Sequence, residues 1–114
     1  MIDRLLRTAL PLTAALALAS AAGAADAGPA PAAETIHIGN FMFDRMNVTV
    51  RPGATVTWVN DDDIPHTVVA KDLTFKSKVL DTGDRFSFTF AKPGQFVYFC
   101  SLHPRMTGTI VVKG

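Results

Sequence analysis

The sequence predicts an all-β domain, a two-sheet antiparallel β-sandwich of about seven or eight short strands, and three observations carry that prediction. From Thr35 onward apolar side chains recur at every second position, the period of a strand with one buried face. Clusters of Pro, Gly, Asn and Asp interrupt this alternation at short intervals. No segment of helical length and period lies between them. A small closed barrel is the alternative that the same pattern permits.

The elements follow in chain order. Ile36 with Ile38, Val48 with Val50, Val56 with Trp58, Phe86 with Phe88 and Phe90, Phe96 with Tyr98, and Ile110 with Val112 each mark the inward face of a strand. Arg51-Pro52-Gly53, Asn60-Asp61-Asp62-Asp63, Asp81-Thr82-Gly83-Asp84 and Lys92-Pro93-Gly94 supply the turns, because Pro presets φ and Gly tolerates positive φ. Trp58, Tyr98 and the phenylalanines are expected to fill the space between the sheets.

Ahead of these strands, residues 1–25 read as a cleaved secretory signal peptide. Arg4 and Arg7 give the positive start, Leu10 to Ala19 is almost wholly apolar, and Ala22-Gly23-Ala24 offers small residues for cleavage. Pro11 and Thr13 interrupt the apolar run, which argues against a membrane anchor. Residues 26–34 read as a flexible Ala/Pro/Gly lead-in, and 35–114 as the folded domain. Secretion places the expected location in the bacterial periplasm, with no stable membrane insertion.

The chain has 114 residues, enough for one domain and not for a multidomain enzyme. Lys+Arg 11 against Asp+Glu 10 excludes the basic surface that nucleic acid would require. Beyond residue 25 the two signs balance, so any electrostatic steering has to be local. Cys100 is the single cysteine, and no intramolecular disulfide can staple the domain. Its stability has to come from a packed core, helped by a bound metal if one is present.

The stretch Phe99-Cys100-Ser101-Leu102-His103-Pro104-Arg105-Met106 carries the chemistry. A thiol, an imidazole and a thioether follow one another at intervals of three residues. Pro104 disfavours a helix at His103, and a regular strand would send Cys100 and His103 to opposite sides. A tight loop between strands Gln95–Cys100 and Thr107–Val112 can instead turn all three inward. Ile64-Pro65-His66-Thr67 offers a second imidazole at the start of another strand. Two imidazoles, a thiolate and a weak thioether form the ligand set of a blue-copper electron-transfer centre. The candidate metal ligands are therefore His66, Cys100, His103 and Met106.

With these residues in view, the chain from about Ile36 to Lys113 resembles the cupredoxins, or blue copper proteins, on the amicyanin-like and plastocyanin-like branch. Cys100, His103 and Met106 match the short Cys-x-x-His-x-x-Met loop of amicyanins. Val48-Thr49-Val50, Pro52-Gly53, Trp58-Val59-Asn60, Pro65-His66, Pro93-Gly94 and Tyr98-Phe99-Cys100 match as well. The resemblance implies a Greek-key β-sandwich holding one type 1 copper ion. It also implies a monomeric electron carrier with transient redox partners, a dehydrogenase or a cytochrome serving as donor or acceptor. His103 would lie at the surface in an apolar patch with Pro65, Leu102 and Pro104. Two departures stand out. Thr67 follows His66 where many cupredoxins place an Asn that ties the ligand segments together, so that tie should be weaker or differently made. Leu102 and Arg105 replace a Pro and an aromatic residue of the amicyanin loop.

Other residues read more plainly. His37 alternates with Ile36 and Ile38 and should face solvent. Met42 and Met46 are expected to fill gaps in the core. Asp61-Asp62-Asp63 lacks the spacing of a calcium loop and reads as a solvated turn. A copper chaperone or scavenger is the alternative function, although no Met/His-rich tail supports it. An enzyme is not expected, because the sequence shows no nucleophile motif and His37 alone remains for any further copper site.

Overall fold

The computed structural model describes residues 30–114. The segment read as a signal peptide and the first residues of the lead-in lie outside the described residues. Eight strands make up the domain: β1 (Ala33–Gly39), β2 (Met42–Phe43), β3 (Asn47–Val50), β4 (Ala54–Asn60), β5 (Val69–Ala70), β6 (Arg85–Phe90), β7 (Gly94–Cys100) and β8 (His103–Val112). Among the described residues there is no helix, and none is long and apolar enough to cross a membrane. The first strand begins within the stretch assigned to the lead-in. Ahead of it, the Pro31 and Ala32 carbonyls accept hydrogen bonds from Arg51 and Thr55.

The strands form two four-stranded sheets, ordered β2-β1-β4-β6 and β3-β8-β7-β5. The all-β sandwich expected from the sequence is present, but its sheets are mixed rather than purely antiparallel. β1 runs parallel to β4, with Ile36 opposite Trp58, and β3 runs parallel to β8, with Val48 opposite Ile110. Alternation fixes which face of a strand is buried, not the direction of its neighbour. The reason for the parallel pairs is that the chain leaves the first sheet after β2, lays β3 into the second, and returns as β4 in the direction of β1.

The inward residues meet as the period requires. Ile36, Ile38, Val56 and Trp58 of the first sheet and Tyr98 and Ile110 of the second are wholly buried. Trp58 meets Tyr98 edge to face at 5.3 Å and lies 5.5 Å from Phe75, so aromatic rings bridge the sheets. Phe86, Phe88 and Phe96 are only partly buried against this cluster. The Trp58 Nε1 and the Tyr98 hydroxyl are buried without a hydrogen-bond partner. The Tyr98 ring lies over its cross-strand partner Gly108, where a Cβ would fall 2.4 Å from Cζ. Only glycine fits at that position.

Two local features shape one end of the sandwich. β1 and β2 are joined by Asn40-Phe41 alone, both with positive φ (53° and 60°), which is the two-residue hairpin geometry favoured by strand twist. Asn accepts that backbone readily; Phe does so at a cost on the order of 1 kcal/mol. At the same end, Cys100 of β7 pairs with His103 of β8, while the preceding residue Phe99 pairs with Thr107. One step on β7 is therefore matched by four residues on β8. Pro104, Arg105 and Met106 form the extra bulge.

Candidate metal centre

The bulge resolves the geometric problem posed by the sequence. The expected loop is shorter than anticipated, a turn of Ser101 and Leu102 alone, and His103 and Met106 belong to the irregular start of β8. The lost register lets side chains three residues apart face one way. His66 sits across the gap in an isolated antiparallel bridge with Leu80, before β5 rather than in it. Its backbone exchanges hydrogen bonds with Leu80 at 3.0 and 2.8 Å.

These placements bring three donors together. The Cys100 Sγ lies 3.7 Å from His66 Nδ1 and 3.6 Å from His103 Nδ1. All three ligand atoms fall within 4.8 Å of one another, with Cys100 and His66 buried and His103 half-buried. Met106 is buried on β8 and borders the same hollow as His103. The donor set is soft on the sulfur side and borderline on the nitrogen side, the combination that fits copper.

A layer of hydrogen bonds holds the donors. His66 Nε2 donates to Asp62 Oδ2 at 2.9 Å, since a carboxylate can only accept, and in the neutral imidazole this leaves the lone pair on the Nδ1 that faces Cys100. The same Oδ2 accepts the Phe41 amide at 3.2 Å. The His66 hydrogen bond first, and the Phe41 amide after it, hold the Asp62 carboxyl below its ordinary range. Asp62 belongs to a run that the sequence alone marks as a solvated turn; the structure makes it the residue that orients the His66 ring. Its position four residues before the imidazole was the available signal. Buried Asn60 sets the loop itself, donating to the Ile64 and Leu80 carbonyls, each at 2.9 Å, and accepting from the Asp62 amide.

Thr67 supplies the tie expected to be weaker or differently made, and it is differently made. Its amide donates to Cys100 Sγ at 3.3 Å, its hydroxyl accepts the Ser101 amide at 2.7 Å, and the Thr67 and Ser101 hydroxyls lie 2.7 Å apart. The His66 and Cys100 segments are thus joined side chain to backbone. Two amides, one to sulfur and one to oxygen, do the fastening.

These features place the chain among known proteins. A family model described as a Cupredoxin-like domain matches residues 8–112. The chain belongs to the cupredoxin family. Its relatives include amicyanin-alpha of Methylorubrum extorquens, 35% identical over 92% of this chain and 98% of that protein. A plastocyanin of Nostoc punctiforme is 31% identical over 75% and 79% of the two chains. Among solved structures, a purple cupredoxin from Nitrosopumilus maritimus superposes with a TM-score of 0.66 at 34% identity, covering 69% of this chain and 98% of the other. The Cu(I) form of a methionine-to-alanine mutant of amicyanin gives 0.67 at 32%, covering 75% and 87%. The resemblance read from the Cys100–Met106 loop is borne out, and copper is the cofactor of the family and of this donor set.

Around the cupredoxin site the surface is apolar. Phe41, at its positive φ, sets its ring edge-on to His103 at 5.0 Å and to His66 at 6.1 Å. No sequence signal pointed to it. With Leu102, Pro104 and Arg105 it lines an open hollow of about 530 Å³ over His103. His37, as expected, is exposed, and its Nδ1 lies 2.5 Å from Asp61 Oδ2, away from the centre. Met42 and Met46 do not fill the core: they are 53% and 56% exposed. β2 is an edge strand of two residues, and Phe43 takes its one inward position.

Proposed function

We propose that this cupredoxin is a periplasmic one-electron carrier in which His66, Cys100 and His103 would hold a single type 1 copper ion, with Met106 as a fourth, weaker donor. The observation that carries the reading is the convergence of one sulfur and two imidazole nitrogens, all within 4.8 Å of one another, at one end of the sandwich. When bound, copper supplies the Cu(II)/Cu(I) couple, which takes up one electron and releases it without altering a substrate.

The residues of the chain make that exchange easy. Asp62 and the Asn60-braced loop keep the His66 ring oriented, and the Thr67 amide stays on the Cys100 sulfur. Donors fixed by a packed sandwich need not rearrange when the charge at the centre changes, so little reorganisation opposes transfer. His103 is the half-buried ligand, and its apolar surround of Phe41, Leu102 and Pro104 suits brief contact with a dehydrogenase or cytochrome. Small, weak interfaces allow quick release. Arg105 adds one cation to that face.

The test is the visible spectrum of the mature protein after Cu(II) addition. An intense thiolate-to-copper band is expected, bleached by ascorbate, restored by an oxidant and absent from Cys100→Ala. A colourless copper-bound wild type would overturn the reading.

A further inference from the structure

Apart from Met1, every methionine of the chain lines one cavity. Met42, Met46 and Met106 border a hollow of about 170 Å³ next to the site, with Phe41 and Arg105 also on its wall. They come from three separate places: β2, the loop before β3, and the bulge of β8. Met42 and Met46 stay half-exposed and so forgo much of the apolar burial that would hold them in a core.

We propose that Met42, Met46 and Met106 form a loading port that captures Cu(I) and passes it to the His66–Cys100–His103 centre. The proposal rests on the copper reading given above and extends it to how the ion arrives. Neutral, polarisable thioethers favour Cu(I) over harder ions. No carboxylate, imidazole or thiol lines this cavity to attract Zn(II) or Cu(II) instead. Met106 borders both this cavity and the hollow over His103. It can keep hold of the ion while Met42 and Met46 are exchanged for Cys100 and the imidazoles. Copper remains Cu(I) throughout, no electron moves, and the Cys100 thiol gives its proton to water as the sulfur binds. Exposed Arg105 on the cavity wall disfavours a resident cation, which suits transit rather than storage.

The experiment compares wild type with the Met42→Leu/Met46→Leu double variant, which keeps volume and apolarity and removes the two thioethers. Metal-free protein is mixed with Cu(I) held by a chromophoric chelator, and separately with Cu(II). Cu(I) uptake should slow by about tenfold or more in the variant, with Cu(II) uptake, the final blue band after oxidation and the unfolding midpoint unchanged. Equal Cu(I) uptake by both proteins, or equal slowing for both oxidation states, overturns the proposal. In a second measurement, wild type labelled at its methionine methyl groups and already holding one Cu(I) is titrated anaerobically with more Cu(I). The Met42 and Met46 methyl signals should move together; unmoved signals also overturn it. If wild type never develops the blue band, the copper-centre reading fails by itself, and the same methyl titration on metal-free protein still decides the port.

Discussion

Replacing Thr67 with Val tests whether one hydroxyl replaces the family's asparagine tie. Valine keeps the shape and the backbone amide to Cys100 Sγ, and deletes only the oxygen. Two contacts of 2.7 Å are lost, the Ser101 amide and the Ser101 hydroxyl, along with a longer hydroxyl approach to Sγ at 3.8 Å. A net hydrogen bond is worth about 0.5–1.5 kcal/mol, and a donor left unpaired costs about 1–3 kcal/mol when it is buried. Ser101 is exposed while Thr67 is buried, so water can recover part of the loss on one side only. The expected destabilisation is about 2 kcal/mol, or on the order of 10 °C in Tm for a domain of this size. Thermal unfolding of the metal-free protein is the assay, because bound copper would itself join the His66 and Cys100 segments and mask the loss. Thr67→Ser, which keeps the oxygen, should lose only about 0.8 kcal/mol for its methyl group. Equal midpoints for Thr67→Val and Thr67→Ser would refute the argument.

Two further outcomes follow from the same hydrogen-bond and burial pattern. Asp62→Asn removes the carboxylate that orients His66, and copper affinity should fall by about 10–100-fold in a chelator competition while the blue band persists; unchanged affinity would show that the imidazole needs no such partner. Burial pushes the Tyr98 phenol from 10.0 up to about 12. The folded state therefore holds the proton that the unfolded state releases, so this stability is complete below pH 10 and falls between pH 10 and about 12, by about 3 kcal/mol in all. Tyr98→Phe should flatten that alkaline loss in urea unfolding, and at neutral pH should cost little, since the hydroxyl it removes has no hydrogen-bond partner.

What could be read from the sequence divides along physical lines. The strands from Ile36 to Val112 were visible because burial imposes a period of two on the chain itself, and the Pro and Gly turns because their backbone preferences are local. The candidate donors were visible because Cys100, His103 and Met106 lie within seven residues and His66 follows a proline. Met42 misled, since hydrophobic composition cannot show that a two-residue edge strand offers only one inward position, taken by Phe43, and Met46 falls in the loop before β3, outside any strand. Asp62 misled in the opposite way: three adjacent carboxylates look like solvent-exposed surface until a loop braced by Asn60 turns one of them onto an imidazole.

By itself, then, the sequence determined the all-β class, the inward face of the longer strands and the kinds of atoms offered to a metal, all properties of single residues or near neighbours. Only the tertiary structure decided the parallel pairing of β1 with β4 and β3 with β8, the bulge that turns His103 and Met106 to one side, and the Thr67–Ser101 fastening. It also gathered methionines from β2, the loop before β3 and the bulge of β8 at one cavity. Each of these depends on which strands meet and in what register, and alternation along a single strand carries no record of that.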